Sequence, residues 1–242
     1  MILLFTDFGL NGPYVGQMKA AIAARAPGVP VIDLMHDAPA FQPQPAAYLL
    51  AALIPFVPAG AILVGVVDPG VGTDRAPVLV EADGRCFIGP GNGLFELVCR
   101  RARQVTTHRL AVPDGQSLSA SFHGRDLFAP AAAERAAGRP VATEPVQTRL
   151  PGADWPEELD RVIHIDAFGN CLTGRRAATL APGTQLYAAG QSLKRRRTFG
   201  EARTAEAFWY ENSLGLAELA AREASAAALM SLRVGDPVQV LA

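Results

Sequence analysis

Ile2-Leu-Leu-Phe5, Tyr14 to Ala24, Val29-Pro-Val-Ile-Asp33, Gln44 to Leu53 and Ala61 to Val67 follow one another in the opening third of the chain. The three short apolar runs have the length and bounding residues of buried strands, and the two longer stretches read as helices. This alternation, βαβαβ, predicts an α/β fold: a mainly parallel sheet covered by helices, with ligands held at the carboxyl ends of the strands. Asp7, Asp33 and Asp68 each close or follow an apolar run and so fall at that edge.

Working outward, Pro77 to Ala82 and Arg85 to Ile88 flank Asp83-Gly84, a pair that accepts the positive φ angles of a tight hairpin. Helices expected over Gly93 to Arg101 and Arg125 to Ala137 complete a sandwich-like layer. From Ala136 to Glu158 the chain is rich in Pro, Gly and polar residues and lacks apolar periodicity. We therefore expect an N-terminal α/β domain over residues 1–150 and a smaller, mostly β, barrel-like domain over 151–242. The second carries short strand-like runs at Arg161 to Ile165, Gln185 to Ala188 and Pro237 to Leu241, and a helical stretch near Leu216 to Ala221. Lys194-Arg-Arg-Arg197 reads as a solvated hairpin tip, the alternative being a contact to phosphate or carboxylate.

Composition narrows the function. With 22 Lys plus Arg against 23 Asp plus Glu the net charge is -1, so no global field draws the chain to nucleic acid. Half the residues are hydrophobic and 19% charged, a globular balance. Pro55, Pro58 and Gly60 interrupt the most apolar stretch, Ala46 to Val67, where a membrane helix would need about 20 continuous apolar residues. Cys86, Cys99 and Cys171, odd in number and widely spaced, read as reduced thiols. Thr6-Asp7 cuts short the apolar start that a signal peptide would need. A cytoplasmic protein is expected.

Four clusters carry groups capable of chemistry. Val67-Asp-Pro-Gly-Val-Gly-Thr-Asp-Arg75 sets a carboxylate at a strand end before a Pro-Gly turn, then a second acid and an arginine. Phe122-His-Gly-Arg-Asp126 offers an imidazole that can exchange protons near neutrality. Ile165-Asp-Ala-Phe-Gly-Asn170 supplies a carboxylate, an aromatic face and an amide, the parts that stack and edge-bond a flat heterocycle. Glu211-Asn-Ser-Leu-Gly215 adds a polar turn. Gly89-Pro-Gly-Asn-Gly93 lacks the Lys-Ser/Thr ending of a triphosphate loop. Asp7, Asp33, His36, Asp37, Asp68 and His123 could be assembled into a metal site, but no short ligand pattern supports one. His36, His108 and His164 read as structural.

Taken in order, Phe5-Thr-Asp-Phe-Gly9 with Tyr14-Val-Gly-Gln-Met-Lys19, Val67 to Gly72, Gly89 to Leu94, Phe122 to Asp126, Asp166 to Asn170 and Asn212-Ser213 resemble the S-adenosylmethionine hydroxide adenosyltransferases. These are relatives of the fluorinating and chlorinating adenosyl transferases. The resemblance implies hydrolysis of S-adenosylmethionine to adenosine and methionine, by attack of water on the ribose C5′, in a homotrimer with sites shared between subunits. It implies no cofactor and no metal. The family's water-handling triad falls on Asp68, Arg75 and His123, which the halogenating relatives lack. The ribose carboxylate falls on Asp7 and the ribose wall on Phe122. Phe168 would stack on adenine, Asn170 would bond its edge, Asp166 and Ser213 would hold the methionine end, and the backbone near Glu223 would meet adenine. Gly12 and Arg222 depart from the family pattern, which has an Asp and an Asn there. A non-catalytic adenosine or S-adenosylmethionine binding module and a metal-dependent hydrolase are the competing readings.

Overall fold

A computed structural model of the chain describes residues 1–112, 118–146 and 151–241. The chain divides into two compact units, Met1–Trp155 and Pro156–Ala242. The boundary expected between residues 150 and 151 falls at the end of the stretch 147–150, outside the described residues.

The first unit is built on seven strands: β1 (Ile2–Thr6), β2 (Val31–Met35), β3 (Ile62–Val66), β4 (Pro77–Ala82), β5 (Arg85–Pro90), β6 (Val105–Leu110) and β7 (Thr143–Pro145). They form one sheet in the order β2-β1-β3-β5-β4-β6-β7. The pairs β1–β2, β1–β3 and β3–β5 are parallel, and β4 enters antiparallel through its hairpin with β5. That hairpin turns at Asp83 (φ 45°) and Gly84 (φ 74°), both in the left-handed region its two-residue turn requires.

β1 and β3 are buried along their whole length, as strands covered on both faces must be. Ile2, Leu4, Ile62, Val64 and Val66 share a core with Met18 and Ile22 of α1 (Tyr14–Arg25) and with Ala129, Ala132 and Ala133 of the later helix Ala129–Ala136. Gly65 points to the other face, where Leu94 and Phe95 precede the helix Glu96–Arg101, and that helix packs with Pro43–Leu53. In chain order these helices are α2 (Pro43–Leu53), α3 (Glu96–Arg101) and α4 (Ala129–Ala136).

The helix expected from Arg125 begins instead with a wide turn over Gly124–Phe128, in which Ala129 N–H donates to Gly124 O five residues back. β6 and β7 are strands the sequence reading left out. β6 mixes polar and apolar residues along a half-exposed surface, and β7 is three exposed residues at the sheet edge.

The second unit contains β8 (Leu159–Ile165), β9 (Cys171–Arg176), β10 (Gln185–Ala188), β11 (Gln191–Leu193), β12 (Ala207–Glu211), β13 (Leu216–Ala221), the short helix α5 (Ala226–Met230) and β14 (Gln239–Leu241). Two antiparallel sheets result, β12-β13-β9-β8 and β11-β10-β14. Single bridges, Arg195 to Trp209 and Arg161 to Pro237, join them at the two seams, and no continuous ladder closes a barrel among the described residues.

Leu216–Ala221, expected as a helix, is a strand. Its six residues are good helix formers, but it lies between β12 and β9 with all six buried, and that packing overrides local preference. The Lys194–Arg197 run is not a hairpin tip either. It crosses the seam, with Arg195 over the Trp209 ring (5.0 Å) and bonded to Glu211, and with Arg196 bonded to Glu206. Among the described residues no helix is long and apolar enough to cross a membrane.

Gly89 tests the close packing of β5 on β3, since a Cβ there would lie 2.3 Å from Gly65 O and 2.9 Å from the Phe95 ring. Overpacking of this kind costs about 1–3 kcal/mol. Gly89→Ala is expected to lower the thermal midpoint by several degrees, read by differential scanning calorimetry.

Candidate active site

β1 leads to β2 on one side and, after α2, the chain returns to β3 on the other. The crevice where the strand order reverses therefore opens at the carboxyl ends of β1 and β3. Asp7 follows β1 and Asp68 follows β3, which puts both carboxylates in that crevice.

The loop after β3 folds back on itself. Thr73 N–H and its hydroxyl both bond Gly70 O, and Gly72 takes φ +79° with Ala120 O so close that a Cβ would stand 2.4 Å from it. The turn returns Arg75 to Asp68. Nε donates to Oδ1 at 3.0 Å and Nη2 to Oδ2 at 2.6 Å, a two-pronged contact between side chains only 7% and 4% exposed.

Nη2 also donates to His123 Nδ1 at 3.1 Å. Arginine has no acceptor, so Nδ1 is unprotonated and the neutral ring carries its proton on Nε2. His123 stands at the entry of the wide Gly124–Phe128 turn. Phe128 underlies the group, with the Arg75 guanidinium 5.5 Å from its ring centre and His123 edge-on at 6.4 Å. Arg75 Nη1 is buried without a partner.

Asp68 and His123 line a cleft of about 580 Å³ together with Asp7, Tyr14, Phe41 and Phe122. Phe8, Tyr14 and Phe122 form its aromatic wall, with ring centres 5.4 to 5.7 Å apart. Asp7 Oδ2 accepts the Phe41 N–H at 3.0 Å. Burial raises the Asp7 carboxyl above its usual range, opposed by that N–H. Burial likewise raises Asp68 against the pull of Arg75, and burial and then the Arg75 charge lower His123 below the ordinary imidazole value. The result is a partly apolar cleft with two carboxylates, a neutral imidazole and a fixed cation behind them. Such a site can bind polyols and cations and can take a proton from a bound water.

Asp33 and His36 do not join this group. His36 is buried and bonds Thr6 and Asp33, and Lys19 bonds Asp33. Among the described residues, no cluster of three or more His, Cys, Asp or Glu has the geometry to hold a metal ion. In the glycine-rich loop, Asn92 caps β3 by donating to Val67 O, a structural part.

The remaining residues singled out in the sequence lie in the second unit. Asp166 shapes the turn between β8 and β9: Oδ1 accepts from the N–H of Phe168 and of Asn170, and Oδ2 from Asn170 Nδ2, all at 2.9 Å. The turn leaves the Phe168 ring 80% exposed and Asn170 buried. Exposed Glu223 (φ 56°) follows β13 at that same end of the strand, accepting from Thr204 Oγ1. Ser213 sits in the β12–β13 turn at the opposite end of β13, roughly 17 Å away by strand rise.

Three residues of these surfaces were not singled out as site residues. Tyr14 and Phe41 line the cleft, and Glu218 is buried in β13 under the Tyr210 hydroxyl and the Asn212 amide. Tyr14 had a signal, its place at the helix start just after Asp7. Phe41 and Glu218 had none, because only the fold brings them there.

Comparison with known proteins follows the same division. The family description "SAM hydroxide adenosyltransferase N-terminal domain" matches residues 2–144 and its C-terminal counterpart matches 160–239. The (R)-S-adenosyl-L-methionine hydrolase of Thermus thermophilus is 41% identical, covering 99% of each chain. That of Salinispora arenicola is 35% identical over 98% of this chain and 96% of its own. Among solved structures, an uncharacterized conserved protein from Thermotoga maritima superposes with TM-score 0.82 at 26% identity over the full length of both chains. A conserved hypothetical protein from Thermus thermophilus gives 0.76 at 35% identity, covering 99% of each.

The His123 environment has a direct spectroscopic consequence. In nitrogen-15 spectra of the imidazole, His123 is expected as the Nε2–H tautomer, titrating below 6.5. A midpoint above 6.5 would contradict the bonding described.

Proposed function

The chain belongs to the SAM hydroxide adenosyltransferase family, and from that premise we propose that it hydrolyses S-adenosyl-L-methionine to adenosine and L-methionine. The relatives' names specify the (R) form, and we infer the same substrate here. The observation that carries this reading is the Asp68–Arg75–His123 bonding at the edge of a cleft that also holds Asp7.

The reaction is a displacement at ribose C5′. A water oxygen forms its bond to C5′ as the C5′–S bond breaks, the electron pair going to sulfur, which leaves as a neutral thioether. A sulfonium needs no proton to depart, so the protein's task is to place the water in line and lower the cost of its developing charge. Asp68 takes the water's proton, the His123 Nε2–H holds its oxygen, and Arg75 keeps both groups in place while offsetting the charge. Asp7 accepts hydrogen bonds from the 2′ and 3′ hydroxyls, and Phe122 walls the ribose. Two carboxylates in the cleft, Asp7 half-buried, also favour a cationic substrate over its neutral product.

Phe168 stacks on adenine, Asn170 and the backbone near Glu223 meet its edge, and Asp166 and Ser213 serve the methionine end. These groups reach the cleft from a neighbouring subunit of a homotrimer. The enzyme needs no cofactor and works in the cytoplasm.

The decisive experiment incubates chelator-treated protein with S-adenosylmethionine in oxygen-18 water and follows products by mass spectrometry. Labelled 5′-oxygen on adenosine is expected, with Asp68→Asn reducing kcat/KM by at least ~10²-fold. Binding without adenosine would make the protein a binding module. Because Asp68 must be ionised and His123 neutral, kcat/KM is expected to fall on the acid side, with its midpoint above the ordinary carboxylate value of 3.8, and to stay level above neutrality. Light scattering at several concentrations should give three times the chain mass.

A further inference from the structure

Behind Asp7 runs a second hydrogen-bonded chain that the reaction does not use. Lys19 Nζ on α1 donates to Asp33 Oδ2 (2.6 Å), and Asp33 Oδ1 meets His36 Nε2 (3.0 Å). His36 Nδ1 meets Thr6 Oγ1 (2.8 Å), and Thr6 Oγ1 accepts the Phe8 N–H (3.3 Å). The donor directions follow from the two ends. The carboxylate only accepts, so His36 Nε2 carries a proton, and with the ring neutral Thr6 places its single hydroxyl proton on Nδ1.

Hydroxyl, imidazole and carboxylate in this order are the parts of a nucleophilic triad. Here they cannot act as one, because Thr6 is 0% and His36 5% exposed and no substrate atom can reach the hydroxyl. Their effect is mechanical. Thr6 and Phe8 flank Asp7 directly, and the backbone is fastened on both sides, Gly9 N–H to His36 O and Ala38 N–H to Thr6 O. The segment that leaves His36 delivers Phe41, whose N–H bonds the Asp7 carboxylate and whose backbone is held at φ 61°, an unfavourable angle for an aromatic residue.

We propose that His36 is a positioning residue for Asp7: it clamps the β1 and β2 ends together so that the Asp7 carboxylate and the Phe41 N–H keep the geometry that receives a vicinal diol. This rests on the reading of Asp7 as the ribose carboxylate. It predicts that the Thr6–His36 contact controls nucleoside affinity through the diol, with little effect on the chemical step.

The test measures binding of adenosine and of 2′,3′-dideoxyadenosine by titration calorimetry, independently of turnover. The variants are Thr6→Val, His36→Phe and His36→Asn, the last keeping an acceptor for the Thr6 hydroxyl. Thr6→Val and His36→Phe are expected to weaken adenosine binding roughly tenfold or more while leaving the dideoxy analogue unchanged, and His36→Asn to recover part of the loss. KM for S-adenosylmethionine should rise with kcat within about threefold, and Thr6→Val should add nothing on an Asp7→Asn background. Equal losses for both nucleosides, or additive losses with Asp7→Asn, would overturn the proposal. So would wild-type affinity in a folded Thr6→Val protein. If His36→Phe does not fold, the isosteric Thr6→Val decides alone. Wild-type protein that does not prefer adenosine to its dideoxy analogue would overturn the Asp7 reading itself, an outcome separate from a preference that Thr6→Val leaves intact.

Discussion

The paired Asp68 and Arg75 side chains are the constraint around which the first unit's cleft is organised. Two opposite charges taken out of water cost more in hydration than their attraction returns unless the geometry is close and the remaining donors are met. The two-pronged contact supplies that geometry, and His123 takes one more donor of the same guanidinium. A pair of this kind adds little net stability over apolar packing, so its presence at the crevice points to chemistry. The unpartnered Nη1 says the same, since a buried charged donor left without a protein acceptor is costly to keep.

Much of the surrounding fold serves that placement. Gly72 lets the β3 loop lie against Ala120, close enough for Arg75 to return to Asp68, and the wide turn at Gly124–Phe128 sets His123 beside it. Arg75 holds the Asp68 carboxylate directly, whereas the Thr6–His36–Asp33 chain fastens the backbone on either side of Asp7. The second unit spends its polar groups differently. Asp166 builds a turn that leaves an aromatic ring in solvent, and Glu218 lies buried on the central strand, raised by burial despite bonds from Tyr210 and Asn212. Within the basic run, Arg195 and Arg196 are met by Glu211 and Glu206, so charge there helps tie the two sheets.

The βαβαβ order, the Asp83-Gly84 hairpin and the crevice carboxylates were legible from residue pattern alone, because buried parallel strands are short apolar runs and a two-residue hairpin demands residues that accept positive φ. Leu216–Ala221 was not. Its composition favours a helix, and only its position between two strands decides otherwise. β6 and β7 escaped because β6 is mostly polar along a half-exposed surface and β7, at the sheet edge, needs little apolar surface. The structural role expected of His36 holds, but its link to Asp7 is invisible in sequence, since Thr6 and His36 are thirty positions apart and meet only when β1 pairs with β2.

What the sequence by itself determined is the inventory and its order: family blocks in register, an acid after the first and third apolar runs, an arginine seven residues beyond Asp68 and a histidine near a helix start. These are local facts, carried by spacing and backbone preference. Tertiary structure alone decided which nitrogen of His123 carries the proton, that Arg75 serves two partners at once, and that Phe41 turns its N–H toward Asp7. Each of these depends on contacts between residues distant in the chain, and their energies arise from burial and geometry that no short stretch of sequence encodes.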